Sequence, residues 1–417
     1  MSSLVPEPVW RQVRRGRPPD PELLDEVAGT DRATLGEGGV RSVRDHLHAR
    51  LLGAGPLEEL LASEGVTDVM VNGDGSVWWD RGHGIERAEV DLGGPEARRQ
   101  LAVRLAGLAG RRLDDTAPYV DGQLPSGVRL HAMLPPLVDG GAHLTLRVPA
   151  RARVGLEELA RSGLFPGRWL PLLRSLVHHR VAFLVSGGTG AGKTTLLGAL
   201  LAEAEPAERL VVVEDVRELR VDHPHVVRLE ARPPNVEGAG EVTMTTLVRQ
   251  ALRMRPDRLI VGEVRGPEVR ELLTALNTGH DGGCGTVHAN AAADVVSRFE
   301  ALGALAGLSL PAVHAQLVSA VDVVIHLRGS PGQRGDSRTS RVVDAISVLE
   351  RTPAGRPRVT AALCGPGWAD ERGPGWARLA DLTGPDRLDG PSRRVGPTRR
   401  DPARQHGLTA TRGEAAP

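Results

Sequence analysis

Apolar residues first recur at helical spacing from Val40, where Val43, Leu47, Leu51 and Leu52 share one face before Gly53. A shorter helix is predicted over 57–61. Residues 68–73 then read as a strand entering a tight turn, with 76–80 as its hairpin partner. A further helix is expected over 95–109, and strands over 128–133 and 143–148, separated by glycine-rich connections. The stretch 40–148 is thus expected to form a small α+β domain. Ahead of it, residues 1–39 mix Pro, Gly, Arg and Glu without periodicity and read as a flexible arm.

Residues 149–155 read as a linker, after which the pattern changes. Apolar runs at 181–185, 209–213, 259–261, 285–287 and 323–325 alternate with helical stretches at 194–204, 243–254, 267–276 and 291–302. Continuous apolar strands alternating with helices predict an α/β domain over 156–350 with a mainly parallel sheet covered on both faces. A last strand is expected over 341–349. Beyond it the composition falls to Gly, Pro, Arg and Asp, so 351–417 reads as a disordered tail with mixed, solvated charge.

Composition narrows the chemistry. Lys plus Arg and Asp plus Glu both number 52, so the formal net charge is zero, which argues against holding nucleic acid by bulk charge. Aromatic residues make up only 2% of the 417, leaving little material for a base-stacking platform. No apolar run is long enough to span a bilayer, and no signal-peptide core opens the chain. Cys284 and Cys364 are the only cysteines, which excludes a disulfide scaffold and a multi-cysteine zinc site. A soluble, cytoplasmic protein is expected. All basic residues but one are Arg, and the exception is Lys193. A compact ammonium suits an enclosed phosphate site better than a fork-shaped guanidinium.

Lys193 lies in Gly187-Gly188-Thr189-Gly190-Ala191-Gly192-Lys193-Thr194, followed by Thr195, which matches the phosphate-loop pattern G-x-x-x-x-G-K-[ST]. Its glycines let backbone N–H groups converge on phosphate oxygens, and the helix that follows aims its positive end at them. Lys193 is expected to reach the β- and γ-phosphates of ATP and the Thr194 hydroxyl to ligate Mg²⁺. Such a loop needs an acid from another strand end. Asp257-Arg258-Leu259-Ile260-Val261-Gly262-Glu263 supplies one, with Glu263 placed to polarise water or hold Mg²⁺ through water. Val213-Glu214-Asp215-Val216-Arg217-Glu218 ends another strand in three carboxylates, expected to attend the metal or water. In Thr278-Gly279-His280-Asp281-Gly282-Gly283-Cys284-Gly285-Thr286-Val287-His288-Ala289-Asn290, His280 and His288 lack the helical spacing of zinc ligands. A histidine at a strand end could instead sense the γ-phosphate. His178-His179 and His223-Pro224-His225 have no supporting carboxylate pattern and read as packed or surface residues. Cys284 has no base paired with it.

These four segments, in this order, resemble the secretion ATPases of the type II/type IV superfamily, as Walker A loop, Asp box, Walker B and His box. Met254-Arg255-Pro256-Asp257 and Asn277-Thr278-Gly279-His280-Asp281-Gly282 look most like the tight-adherence (Flp-type) pilus assembly branch. Gly55-Pro56-Leu57-Glu58-Glu59-Leu60-Leu61 and Val66-Thr67-Asp68-Val69-Met70-Val71-Asn72-Gly73 are similar to that branch's entry segment. The resemblance spans about 40–350. It implies a RecA-like ATPase domain working as a homohexameric ring at the cytoplasmic face of the inner membrane. It further implies an inner-membrane platform protein as partner; zero net charge and scarce aromatics argue against direct nucleic-acid binding. It also implies arginines from the strands before the linker, which match Arg129 and Arg147 here. Gln123 and Ser126 stand where the branch usually has an arginine and an acid.

The resulting reading is an ATP-hydrolysing motor for pilus assembly or protein secretion. Lys193 and Thr194 hold phosphate and Mg²⁺, and Glu263 positions the water. Glu214, Asp215 and Glu218 support the metal, His288 senses the γ-phosphate, and Arg129 and Arg147 stabilise developing charge. Two rivals are a DNA-transfer motor on the same fold and a ring subunit that binds ATP without hydrolysing it.

Overall fold

The computed structural model describes residues 53–82, 84–149, 154–232, 234, 239–330, 340–365 and 372–384. The arm expected over 1–39, the helix expected before Gly53, residues 150–153 of the expected linker and residues 385–417 lie outside the described residues. Two compact units divide the chain, one built mainly from residues up to Arg153 and the other mainly from Val154 onward.

In the first unit, six strands pair antiparallel throughout. They are β1 (Asp68–Val71), β2 (Val77–Asp80), β3 (Ile85–Ala88), β4 (Tyr119–Gln123), β5 (Arg129–Met133) and β6 (His143–Arg147), in the sheet order β3-β2-β1-β6-β5-β4. Among the described residues its α-helices are α1 (Glu58–Ala62) and α2 (Pro95–Leu108). Helix α2 starts on Pro95, whose fixed φ suits a first turn. Its Leu101, Ala102, Leu105 and Ala106 share one core with Val69, Val71, Leu130, Ala132, Leu144 and Leu146 of the sheet. The period-2 burial of β5 and β6 was legible as alternation, whereas edge strands β3 and β4 each bury one residue and gave no such signal.

The second unit begins with α3 (Leu156–Arg161) and α4 (Leu170–His178). Strand β7 (Phe183–Gly187) leads to α5 (Lys193–Leu201), then β8 (Leu210–Glu214), β9 (Val226–Glu230) and α6 (Met244–Ala251). There follow β10 (Arg258–Val264), α7 (Val269–Asn277), β11 (Cys284–His288), α8 (Asp294–Leu305), α9 (Leu310–Ala320) and β12 (Val323–Ser330). The last described elements are β13 (Ser340–Arg351), β14 (Pro357–Cys364) and α10 (Trp376–Thr383). Its eight-stranded sheet runs β14-β13-β12-β7-β11-β10-β8-β9. Strands β12, β7, β11, β10, β8 and β9 are parallel neighbours, and every residue of β7 and β8 is buried. That is the doubly covered parallel sheet the apolar runs predicted.

For the described residues from 351 to Gly384, the expectation of disorder is corrected. Strand β14 pairs antiparallel with β13, and Ala362, Leu363 and Leu379 join the unit's core. The Ser175 hydroxyl of α4 donates to the carbonyl of Thr383 at the end of α10, 2.6 Å away. Gly, Pro and Arg dominate the average composition of this stretch, but a few apolar residues suffice when the sheet already offers an edge to extend. Pro357 stands at the first position of β14, where a missing N–H costs no ladder bond.

Candidate functional site

Because β8, β10, β11 and β7 are parallel, their carboxyl ends form one rim. Register places His288 of β11 beside Gly187 of β7, with Leu327 of β12 on the other side. Gly187 has φ 151°, and a Cβ there would lie 2.5 Å from the Leu327 carbonyl oxygen, so only glycine fits. Beyond it the loop opens: a Cβ at Gly188 or Gly190 would meet no atom within 4 Å. Gly192, in the left-handed region, caps α5, so its first N–H groups point from the loop end. Lys193 opens the helix, and its Nζ donates to the carbonyls of Gly187 (3.1 Å) and Gly188 (2.9 Å). Thr194 and Thr195 follow in the first turn, half-buried, while Ala191 packs into the core. An open glycine loop, a helix N-terminus and one ammonium make a set of donors that fits phosphate oxygens.

The acids sit farther along the rim. Glu214 ends β8, one step beyond the Val213–Val261 pair. It is 3% exposed. Its Oε1 accepts the N–H groups of Glu218 (2.9 Å) and Leu219 (2.7 Å), while buried Oε2 has no hydrogen-bond partner. Burial raises its pKa above the usual carboxylate value, against those two bonds. Asp215 pairs with Arg265, and Arg217 with Glu230 at 3.2 Å. Glu218 is exposed. The residues expected at a metal therefore do not converge as a ready-made cage. Among the described residues, no three His, Cys, Asp or Glu are grouped to hold a metal ion. An Mg²⁺ beside Thr194 would take most of its ligands from phosphate and water, as this cation prefers.

Glu263 is exposed at a break in the ladder. Strand β10 pairs Val261 with Gly285 and then Val264 with Val287, so one extra residue bulges out at Gly262–Glu263. Bulges at strand ends re-aim side chains. After it, Glu268 accepts the N–H groups of Arg265 and Gly266, both at 2.8 Å, and fixes the turn into α7.

The two histidines of the glycine-rich loop part company. His280 caps α7 through the Ala275 carbonyl at 3.2 Å, on the amino side of β11, whereas His288 ends that strand at the rim. Cys284 is wholly buried, and loss of hydration pushes its thiol up to about 12. Below it, fully buried Arg258 is paired with Glu208 and donates to the Val177 carbonyl at 2.7 Å.

Two features escaped the sequence reading. Thr286 is buried in β11 and its hydroxyl donates to the Gly262 carbonyl at 2.6 Å. His326 of β12 lies opposite Ser186, with Nδ1 2.9 Å from the Ser186 Oγ, and it also hydrogen-bonds the Asn290 backbone. Burial lowers its pKa and keeps the ring neutral. The available signal for His326 was one ionisable residue inside the apolar run Val323-Val324-Ile325-His326-Leu327. Thr286 carried none beyond its place in the loop.

Arg129 and Arg147 belong to the first unit. They are cross-strand neighbours on β5 and β6, and Arg147 is also opposite Asp68, its Nε 3.8 Å from Oδ1. Gln123 continues the row on β4, and its Nε2 donates to the Gly127 carbonyl at 3.3 Å, inside the turn that carries Ser126.

A mainly parallel sheet whose central strand runs through a glycine loop into a helix is the architecture of phosphate-binding α/β proteins. The chain belongs to the Type II/IV secretion system protein family, which matches residues 50–338. A Mycobacterium tuberculosis protein named "Putative conjugal transfer protein" is 53% identical over 307 residues, covering 72% of this chain and 87% of that one. Conjugal transfer protein TrbB of Rhizobium radiobacter is 35% identical over 301 residues, covering 71% and 88%. A solved VirB11 ATPase from the Brucella suis type IV secretion system, in complex with sulphate, is 28% identical, covers 70% of this chain and 94% of that one, and has a TM-score of 0.37. No helix among the described residues is long and apolar enough to cross a membrane.

Proposed function

We propose that the chain is an ATPase motor of a type II/IV secretion apparatus, working as a homohexamer on an inner-membrane partner at the cytoplasmic face. One observation carries this reading: Gly187, His288 and the Gly262–Glu263 bulge share the rim of adjacent parallel strands β7, β11 and β10, at the end where Lys193 closes on the glycine loop. The loop N–H groups and Lys193 bind the β- and γ-phosphates of ATP, and Thr194 holds Mg²⁺. Bound there, Mg²⁺ would neutralise charge that develops on the phosphate oxygens. Glu263, exposed on its bulge, orients a water toward the γ-phosphorus and accepts its proton as the new P–O bond forms and the bond to ADP breaks. Glu214 and Glu218 shape the adjoining turn. His288 reads the γ-phosphate, and Arg129 and Arg147 supply positive charge. Two guanidinium groups on neighbouring strands repel, and an anion between them would relieve that cost.

Two settings fit this motor. The tight-adherence pilus branch rests on the segments around 55–73 and 254–282. A conjugal transfer apparatus rests on the names of the relatives at 53% and 35% identity. With zero formal net charge, the chain's own grip on DNA is weak in either setting.

Turnover and ATP affinity of the intact protein and Glu263→Gln test the reading. The variant is expected to bind ATP like the parent and to hydrolyse it about 10²–10⁴-fold more slowly, the usual contribution of a positioned base. Equal turnover in the two proteins would refute the assignment.

A further inference from the structure

The loop, the acids and the histidine of the rim leave unexplained what holds Glu263 in place. A carboxylate on an exposed strand end moves with its backbone, and here that backbone is irregular. Between Val261 and Val264, β10 uses three steps where β11 uses two. A bulge takes backbone groups out of the regular ladder, and a buried carbonyl without a donor is costly.

The side chain of Thr286 reaches into this irregular stretch. Its hydroxyl donates to the Gly262 oxygen at 2.6 Å, and Thr286 is 1% exposed, so water does not compete. Strand β11 approaches closely just beside it, where a Cβ on Gly285 would stand 2.6 Å from the Val261 oxygen. From the β8 side, Glu214 packs on the same residue: a Cβ on Gly262 would lie 2.6 Å from the Glu214 Cγ. Gly262 is therefore clamped between Thr286 and Glu214, and the residue that emerges from the clamp is Glu263.

We propose that Thr286 is a positioning residue for hydrolysis: its hydroxyl locks the β10 bulge and so sets the direction of the Glu263 carboxylate. The inference rests on the reading of Glu263 as the group that orients water. Thr286 is buried and acts through the Gly262 carbonyl. It acts on the chemical step and leaves nucleotide binding, which the loop and Lys193 govern, unchanged. Displacements of about 1 Å at a reacting geometry can lower rates by about 100-fold.

Thr286→Ser and Thr286→Ala differ only in the hydroxyl and both remove the methyl group, so the pair isolates the hydrogen bond. Thr286→Val keeps the shape and removes the bond. The measurements are kcat, ATP dissociation constant and thermal midpoint of the full-length protein, alone and combined with Glu263→Gln. Thr286→Ala and Thr286→Val are expected to lose about 10–100-fold in kcat with ATP affinity within about twofold of the parent, and Thr286→Ser to recover most of it. Adding Thr286→Ala to Glu263→Gln is expected to cost little more, because the positioned group is already gone.

Full kcat in Thr286→Ala with loss of turnover in Glu263→Gln would overturn the inference and leave the reading of Glu263 standing. Parental turnover in Glu263→Gln would overturn both. Ser and Ala variants that are equally slow, or that lose ATP affinity and thermal midpoint together at unchanged kcat, would make Thr286 a packing residue and also overturn it.

Discussion

Lys193 follows the carboxyl end of β7 and Cys284 opens β11 at the opposite end of the same sheet, and their surroundings suit opposite behaviour. Lys193 is half-buried with its ammonium directed at two carbonyls, a charge kept where an anion can be met. Cys284 opens β11 fully buried, and a thiol pushed up to about 12 stays protonated at neutral pH. Thiolate is the reactive form, so a cysteine in a functional loop is here inert. Peptide mapping after iodoacetamide treatment is expected to find Cys284 unmodified in the native protein and modified after denaturation. Equal labelling in both states would contradict this account of its burial.

At the scale of elements, the parallel strands were legible because burial on both faces makes them nearly all apolar, as in Phe183-Leu184-Val185 and Leu210-Val211-Val212-Val213. Strand β9 offered no continuous apolar signal, and none of its five residues is fully buried. Strand β14 and helix α10 were hidden by composition, since the apolar residues that dock them are few among Gly, Pro and Arg. The loop and its lysine were legible from spacing, whereas the bulge under Glu263 depends on register between strands distant in sequence. Leu379 tests the corrected C-terminal boundary. It is fully buried in the core, and Leu379→Ala is expected to lower unfolding free energy by about 2–5 kcal/mol in a denaturant titration. An unchanged midpoint is what a disordered segment would give.

At the scale of the whole molecule, two compact units carry different parts of the proposed site. The antiparallel sheet bears the neighbouring Arg129 and Arg147, and the parallel sheet bears the phosphate loop, the bulged acid and His288. Membership of the Type II/IV secretion system protein family ties both to one kind of machinery. A formal charge of zero leaves the molecule no general field for polyanions, so the proposed triphosphate site depends on local contacts. Equilibrium titration of the intact protein and Lys193→Ala with ATP and Mg²⁺ therefore probes the account most directly. Losing a charge-assisted contact of about 1.5–3 kcal/mol is expected to weaken binding by about 10–100-fold. Equal affinity in the two proteins would contradict a phosphate site at this loop.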